Sequence, residues 1–165
     1  MTFREHFLTF ARYNAWANGR VYDAAATLGD AEYRRDRRGF FGSIHGTLNH
    51  ILVGDRLWLN RLTGEGENPP SLDVILFDAL TDLRRAREAE DERLLRLVEG
   101  YGETDLTGEL SYTNIAGGRF TQPLTQVLGH VFNHQTHHRG QVHDMLSQAG
   151  MSPPALDLIY FIREV

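Results

Sequence analysis

Five of the eight histidines, His130, His134, His137, His138 and His143, fall within fourteen residues of one another. Cysteine and lysine are both absent, and all 17 basic residues are arginine. Disulfides, thiolate metal sites, cysteine nucleophiles and Schiff-base lysines are therefore excluded, and a metal would have to be held by imidazole and carboxylate. His134 and His138 stand at i and i+4, one helical turn apart, a spacing that suits two adjacent positions on one ion. Two unpaired imidazoles buried side by side would otherwise forfeit hydrogen bonds that leucines never need. The competing reading is a pair of core histidines satisfied by backbone or water, and spacing alone does not decide between them. A third ligand is needed, and His45 and His50 are the candidates upstream. His45 falls in the first turn of its segment, where a surface or capping role is expected. His50 lies deeper, at the edge of an apolar face, so periodicity leaves the choice open.

These side chains need helices to place them. Phe3, Phe7, Phe10, Asn14, Ala17, Val21, Ala24 and Leu28 recur at three- and four-residue steps and predict a first amphipathic helix. Residues 29–41 are charged and glycine-bounded, and read as a connection. Ser43 is an N-cap for a second helix that buries Ile44, Leu48, Ile51, Leu52, Trp58 and Leu62 and stops near Gly64. Ser71 would cap a third, running to about Val98, with its charged middle on a rim or packed on Ala79, Ala86 and Ala89. Residues 104–122 break the pattern around Gly117-Gly118 and suggest a short hairpin. A fourth helix follows Pro123 and ends at Gly150, and the apolar tail after Pro153-Pro154 packs back. The expected fold is all-α: one domain over residues 1–165, a four-helix bundle with a long crossover, and the short hairpin before the last long helix. In the register of that helix, Leu124, Val131, His138 and Met145 form one inward row. Val127, His134 and Gln141 form the next, His130 and His137 border them, and His143 faces solvent.

Composition narrows the function. The chain of 165 residues has 41% hydrophobic and 24% charged residues, an ordinary balance for a folded domain, and a net charge of −5. Nucleic acid is not an expected partner, because phosphate binding needs a basic face. The cluster Arg34, Arg35, Arg37 and Arg38 is interrupted by Asp36 and reads as a solvated loop. No segment is apolar enough to span a membrane, and the N-terminal run does not resemble a signal peptide, so a cytoplasmic protein is expected.

The stretch HVFNHQTHHRGQVHDMLSQAG, from His130 to Gly150, resembles the signature helix of the DinB family (the DinB/YfiT-like superfamily). YNAWANGRV from Tyr13, GSIHGTLNHILVGDRLWLNRL from Gly42 and PPALDLIYF near the end resemble its other segments, in the expected order. The resemblance implies a four-helix bundle, often a homodimer, that holds one divalent transition metal, zinc or nickel. Matched position by position, the implied ligands are His50, His134 and His138, which selects His50 over His45. It also implies the activities to weigh: metal-dependent S-transfer from a low-molecular-weight thiol, metal-dependent hydrolysis, or a non-catalytic metal- or ligand-binding stress-response protein. In each case the expected partner is a small molecule.

Three histidines leave a coordination position open, as catalytic metal sites do. Among the neighbours, Asn14 interrupts an apolar stripe, so it faces the site or is a buried structural amide. Asp55 orients an imidazole or pairs with an arginine. Arg139 holds an anionic substrate or an inter-helix salt bridge. Gln141 supports a ligand from the row of His134, and His137 is a proton carrier if its row borders a cavity. No carboxylate shares the inward rows of the last helix, so no general base for water attack is visible. That favours thiol activation over hydrolysis.

Overall fold

The computed structural model describes residues 1–164. Four long helices dominate it: α1 (Phe3–Ala26), α3 (Ile44–Thr63), α4 (Leu80–Gly100) and α6 (Leu124–Gln148). Shorter elements link or flank them: α2 (Asp30–Arg34), α5 (Glu103–Leu106), strands β1 (Glu109–Thr113) and β2 (Arg119–Pro123), and α7 (Leu158–Glu164). Local chemistry sets the boundaries. Thr2 and Glu5 form a reciprocal capping box on α1, and the Ser43 side chain accepts from the Gly46 N–H to start α3.

α1 packs against α4 and α6, and α3 packs against α6 and α4, so α1 and α3 sit on one diagonal of the bundle and α4 and α6 on the other. The connection before α6 is the expected long crossover, and the link from α1 to α3 crosses the other diagonal. The expected hairpin is the antiparallel pair β1–β2, with Tyr112 opposite Phe120. The apolar tail does pack back: Phe161 of α7 is buried on Tyr13 and Ala17.

Two apolar clusters fill the bundle. One gathers Val21, Leu48, Leu52, Leu83, Val142 and Leu146, and the other Phe7, Leu59, Leu94, Val98, Leu128 and Phe132. A layer of buried polar side chains ties all four long helices together. Arg87 of α4 pairs with Asp55 of α3 at 2.6 Å and with Asp91 at 3.0 Å. Asp91 accepts from the Asn14 amide at 3.0 Å and from Asn18 at 3.0 Å. Arg139 of α6 donates to Asn14, to Asn18 at 3.2 Å and to Gln135 at 3.1 Å, and Gln135 donates to Asp55. Two arginines and two aspartates balance, so the network can be buried without a net charge. Burial alone would lower the pKa of Arg87; Asp91 and Asp55 outweigh it and hold the guanidinium charged.

Three expectations are corrected here. The charged middle of α4 is only in part the expected rim: Arg85, Glu88 and Glu92 are exposed, but Arg87 and Asp91 are core residues. The third long helix starts at Leu80 rather than after Ser71. Residues 71–79 instead form a strap pinned to α3: the Asn49 side-chain Oδ1 accepts from the backbone N–H groups of Leu76 and Phe77 at 2.9 and 3.0 Å, and its Nδ2 donates to the Phe77 carbonyl. Tertiary hydrogen bonds thus outbid a local helical turn. Residues 29–41 are not wholly irregular, because they contain α2. Its arginine cluster is ion-paired, Arg34 to Asp30 and Asp78, and Arg37 to Glu32.

Candidate metal centre

His50 comes from the middle of α3, and His134 and His138 from successive turns of α6. Each offers a ring nitrogen, and the donor atoms lie within 4.8 Å of one another. The His50 Nε2 stands 3.1 Å from His134 Nε2 and 3.1 Å from His138 Nε2.

The outer nitrogens determine what these inner atoms are. His50 Nδ1 donates to the Leu72 carbonyl at 2.8 Å, and His138 Nδ1 donates to Gln141 Oε1 at 2.8 Å. Both partners only accept, so both protons sit on Nδ1 and both Nε2 atoms carry bare lone pairs. Two lone pairs 3.1 Å apart repel unless a cation lies between them. Donors about 2.05 Å from one ion would be separated by about 2.9 Å in octahedral and about 3.3 Å in tetrahedral coordination. The observed 3.1 Å falls inside that interval. The donor set therefore fits a divalent transition metal.

Protonation is also right for ligation. Burial lowers the His50 pKa to about 4, against the raising effect of the Leu72 hydrogen bond, and lowers that of His134 to about 3 with help from neighbouring imidazoles. The His138 pKa is lowered by burial too, partly opposed by Gln141. All three are neutral at pH 7, as ligands must be.

Close packing sets the ring positions. A Cβ at position 54 would lie 2.6 Å from His134 Cε1 and 3.1 Å from its Nδ1, so the absence of a side chain at Gly54 is what admits the ring. On the other side, Phe41 stacks on His50 with ring centroids 3.7 Å apart. Gly46 allows that approach, because its Cβ would meet the Phe41 carbonyl oxygen at 2.2 Å. The buried His134 Nδ1 has no hydrogen-bond partner among the described residues.

The other candidates separate clearly. His45 is buried, not on the surface, and its Nε2 meets the Phe77 carbonyl at 3.2 Å, so it braces the strap. Asn14, Asp55 and Arg139 belong to the buried network, where Asp55 takes the arginine partner and Arg139 the inter-helix bonds. Gln141 supports His138 directly. Its amide also reaches the exposed His137 at 3.3 Å, on a cleft that includes Arg37 and Arg38. His143 is half-buried beside Tyr13 and Leu156, not fully solvated.

A cavity of about 420 Å³ opens beside His50 and His134, walled by Trp58, Arg61, His130 and the hairpin tip at Asn114–Ala116. His130, rather than His137, is the further imidazole that borders it; burial first and Arg61 second lower its pKa. No side chain in the wall is a carboxylate. Sequence reasoning missed Phe41, Gly54, the Leu72 carbonyl, Arg61 and His130 as parts of this site. It assigned Trp58 to the core, whereas the ring is only partly buried and faces the cavity.

Comparison with known proteins agrees with this architecture. A family model described as "DinB family" matches residues 2–164. The chain belongs to the DinB family. Among curated relatives, "Protein DinB" of Bacillus subtilis (strain 168) is 29% identical over 152 residues, covering 88% of this chain and 87% of that protein. A crystal structure of a DinB-like protein from Bacillus cereus ATCC 10987 superposes with a TM-score of 0.64 at 19% identity, covering 88% of this chain and 94% of the other. That likeness bears on the fold, a predominantly helical DinB-like bundle.

Proposed function

We propose that the protein is a metal-dependent enzyme that binds one divalent transition metal, zinc or nickel, through Nε2 of His50, His134 and His138. On this reading it transfers or activates the sulfur of a small thiol. The observation that carries the proposal is the convergence of three neutral imidazoles, two of them held by their outer hydrogen bonds in the tautomer that frees Nε2, with His50 and His134 lining a cavity large enough for a small molecule.

When bound, the ion supplies Lewis acidity that lowers the pKa of a ligated thiol or water. The chain's own residues do the rest. Gln141 and the Leu72 carbonyl hold two imidazoles in the ligating tautomer. Phe41 and Gly54 fix ring planes by contact. Trp58 and Leu57 give the cavity an apolar wall that limits water. His130, neutral at pH 7 through burial and the nearby Arg61 charge, can accept a proton from a substrate in the cavity.

The lack of a carboxylate in the wall favours thiol over water as nucleophile, because a hydrolase at this site would rely on His130 alone as base. The homodimer implied by family resemblance and the cytoplasmic setting expected from the sequence belong to the same proposal, and sedimentation of the purified protein tests the first. The function is tested by assaying zinc- and nickel-loaded protein with paired thiols and electrophiles. Thiol-dependent turnover that disappears on chelation and returns with metal is expected. Saturable binding of thiols without turnover across the panel would replace the enzyme by a binding protein.

A further inference from the structure

Arg61 is the one charged side chain in the wall of the cavity beside His50 and His134. It is half-buried, and burial lowers its pKa. Among the described residues it has no hydrogen-bond acceptor and no acidic partner, although most arginines of this chain are paired. Its guanidinium lies 4.5 Å from the Trp58 ring centroid and 5.3 Å from that of Tyr112. Two aromatic faces thus hold the group in place while leaving its N–H edge unused. No nitrogen of Arg61 is sealed from the cavity, so its N–H edge is open to an acceptor that enters there.

Helical geometry aligns this group with the metal centre. His50, Gly54, Trp58 and Arg61 follow one stripe of α3, with Arg61 eleven residues beyond His50, a rise of about 16 Å. Side chains lean toward the helix N-terminus, so Arg61 reaches back over Trp58 toward the histidines. His130 marks the path between them, with its ring centroid 5.0 Å from Trp58 and 5.8 Å from His134.

We propose that Arg61 holds the carboxylate of a small substrate whose other end reaches the three histidines. This rests on the metal-dependent reading above. A carboxylate fits better than a phosphate, because one planar cation matches one planar monoanion, and the wall offers no second cation for a dianion. The substrate class is therefore a short molecule with a metal-seeking group, such as a thiol, at one end and a carboxylate a few bonds away.

The test compares 3-mercaptopropionate with 2-mercaptoethanol on protein loaded with one equivalent of Co²⁺, following cobalt absorption and heat of binding. The carboxylate thiol should bind about tenfold or more tighter, the scale of a charge-assisted hydrogen-bonded pair. Arg61→Met should abolish that preference while leaving the cobalt spectrum and the 2-mercaptoethanol affinity unchanged, and Arg61→Lys should restore part of it. Equal binding of the two thiols, or a preference that survives Arg61→Met, would overturn the proposal. A second arm needs no metal: 3-phenylpropionate should shift the Trp58 indole N–H resonance of metal-free protein saturably, and Arg61→Met should remove the shift. Failure to load cobalt with the shift intact would sink the metal reading and leave the Arg61 site standing. Cobalt loading with neither shift nor preference would do the reverse.

Discussion

Replacing Gly54 with alanine adds one methyl group against His134, and its consequences can be worked from contact distances. The new Cβ would meet His134 Cε1 at 2.6 Å and Nδ1 at 3.1 Å. Carbon atoms settle at about 3.5 Å or beyond, so the ring must retreat by roughly 1 Å. Metal–ligand distances tolerate only about 0.2 Å, and the displaced imidazole can no longer share an ion with His50. Overpacking of this kind costs about 1–3 kcal/mol, while alanine is favoured over glycine in a helix interior by about 1 kcal/mol. The metal-free protein should therefore lose no more than about 2 kcal/mol and stay folded. Metal affinity should fall by about ten- to a hundredfold, as when a ligand's support is lost. Zinc competition against a fluorescent chelator, with urea unfolding of the metal-free protein alongside, separates the two effects. An unchanged zinc affinity in folded Gly54→Ala would refute the assignment of His134 as a ligand packed on α3.

Other perturbations probe the remaining parts. Gln141→Leu should weaken zinc binding by about tenfold or more by releasing the His138 tautomer, with little change in the urea midpoint; equal zinc affinity would remove Gln141 from the site. Arg87→Met leaves Asp55 and Asp91 buried without their shared cation, and should cost about 3–5 kcal/mol in urea unfolding; a loss under 1 kcal/mol would show that the network is not closed. The depressed pKa values of His50 and His134, about 4 and 3, mean that between those values and the ordinary imidazole range the unfolded chain binds protons that the folded chain does not. The stability of metal-free protein should thus be greatest above about pH 6.5 and fall as pH is lowered through that window. Thermal melts that do not change between pH 7 and 5 would contradict the shifts.

The sequence carried the bundle and much of its centre for a definite reason. A 3.6-residue pattern reports which side of a long helix is buried, so α1, α3 and α6 were legible, and the inward rows of α6 singled out His134 and His138. The same pattern could not choose His50 over His45, because both are buried in the structure. What separates them is the strap over α3, where His45 meets Phe77 and His50 meets Leu72. That strap was unreadable as such. Its apolar spacing imitates a helix, and only the long-range bonds from Asn49 show why it stays non-helical; in a helix the Leu72 carbonyl would be engaged along its own segment and lost to His50. Arg87 and Asp91 were hidden because an i, i+4 ion pair in a charged run looks the same whether solvated or buried. Their signal lay on the other helices, in Asn14, Asn18, Asp55, Gln135 and Arg139, polar residues on faces that are otherwise apolar.

Titration of metal-free protein with Co²⁺ shows whether His50, His134 and His138 hold one ion. Saturation is expected at one equivalent with an absorption band of imidazole-ligated cobalt, lost in His50→Ala, His134→Ala and His138→Ala and retained in His45→Ala and His143→Ala. Saturation well below one equivalent, or a band that survives all three ligand substitutions, would contradict it.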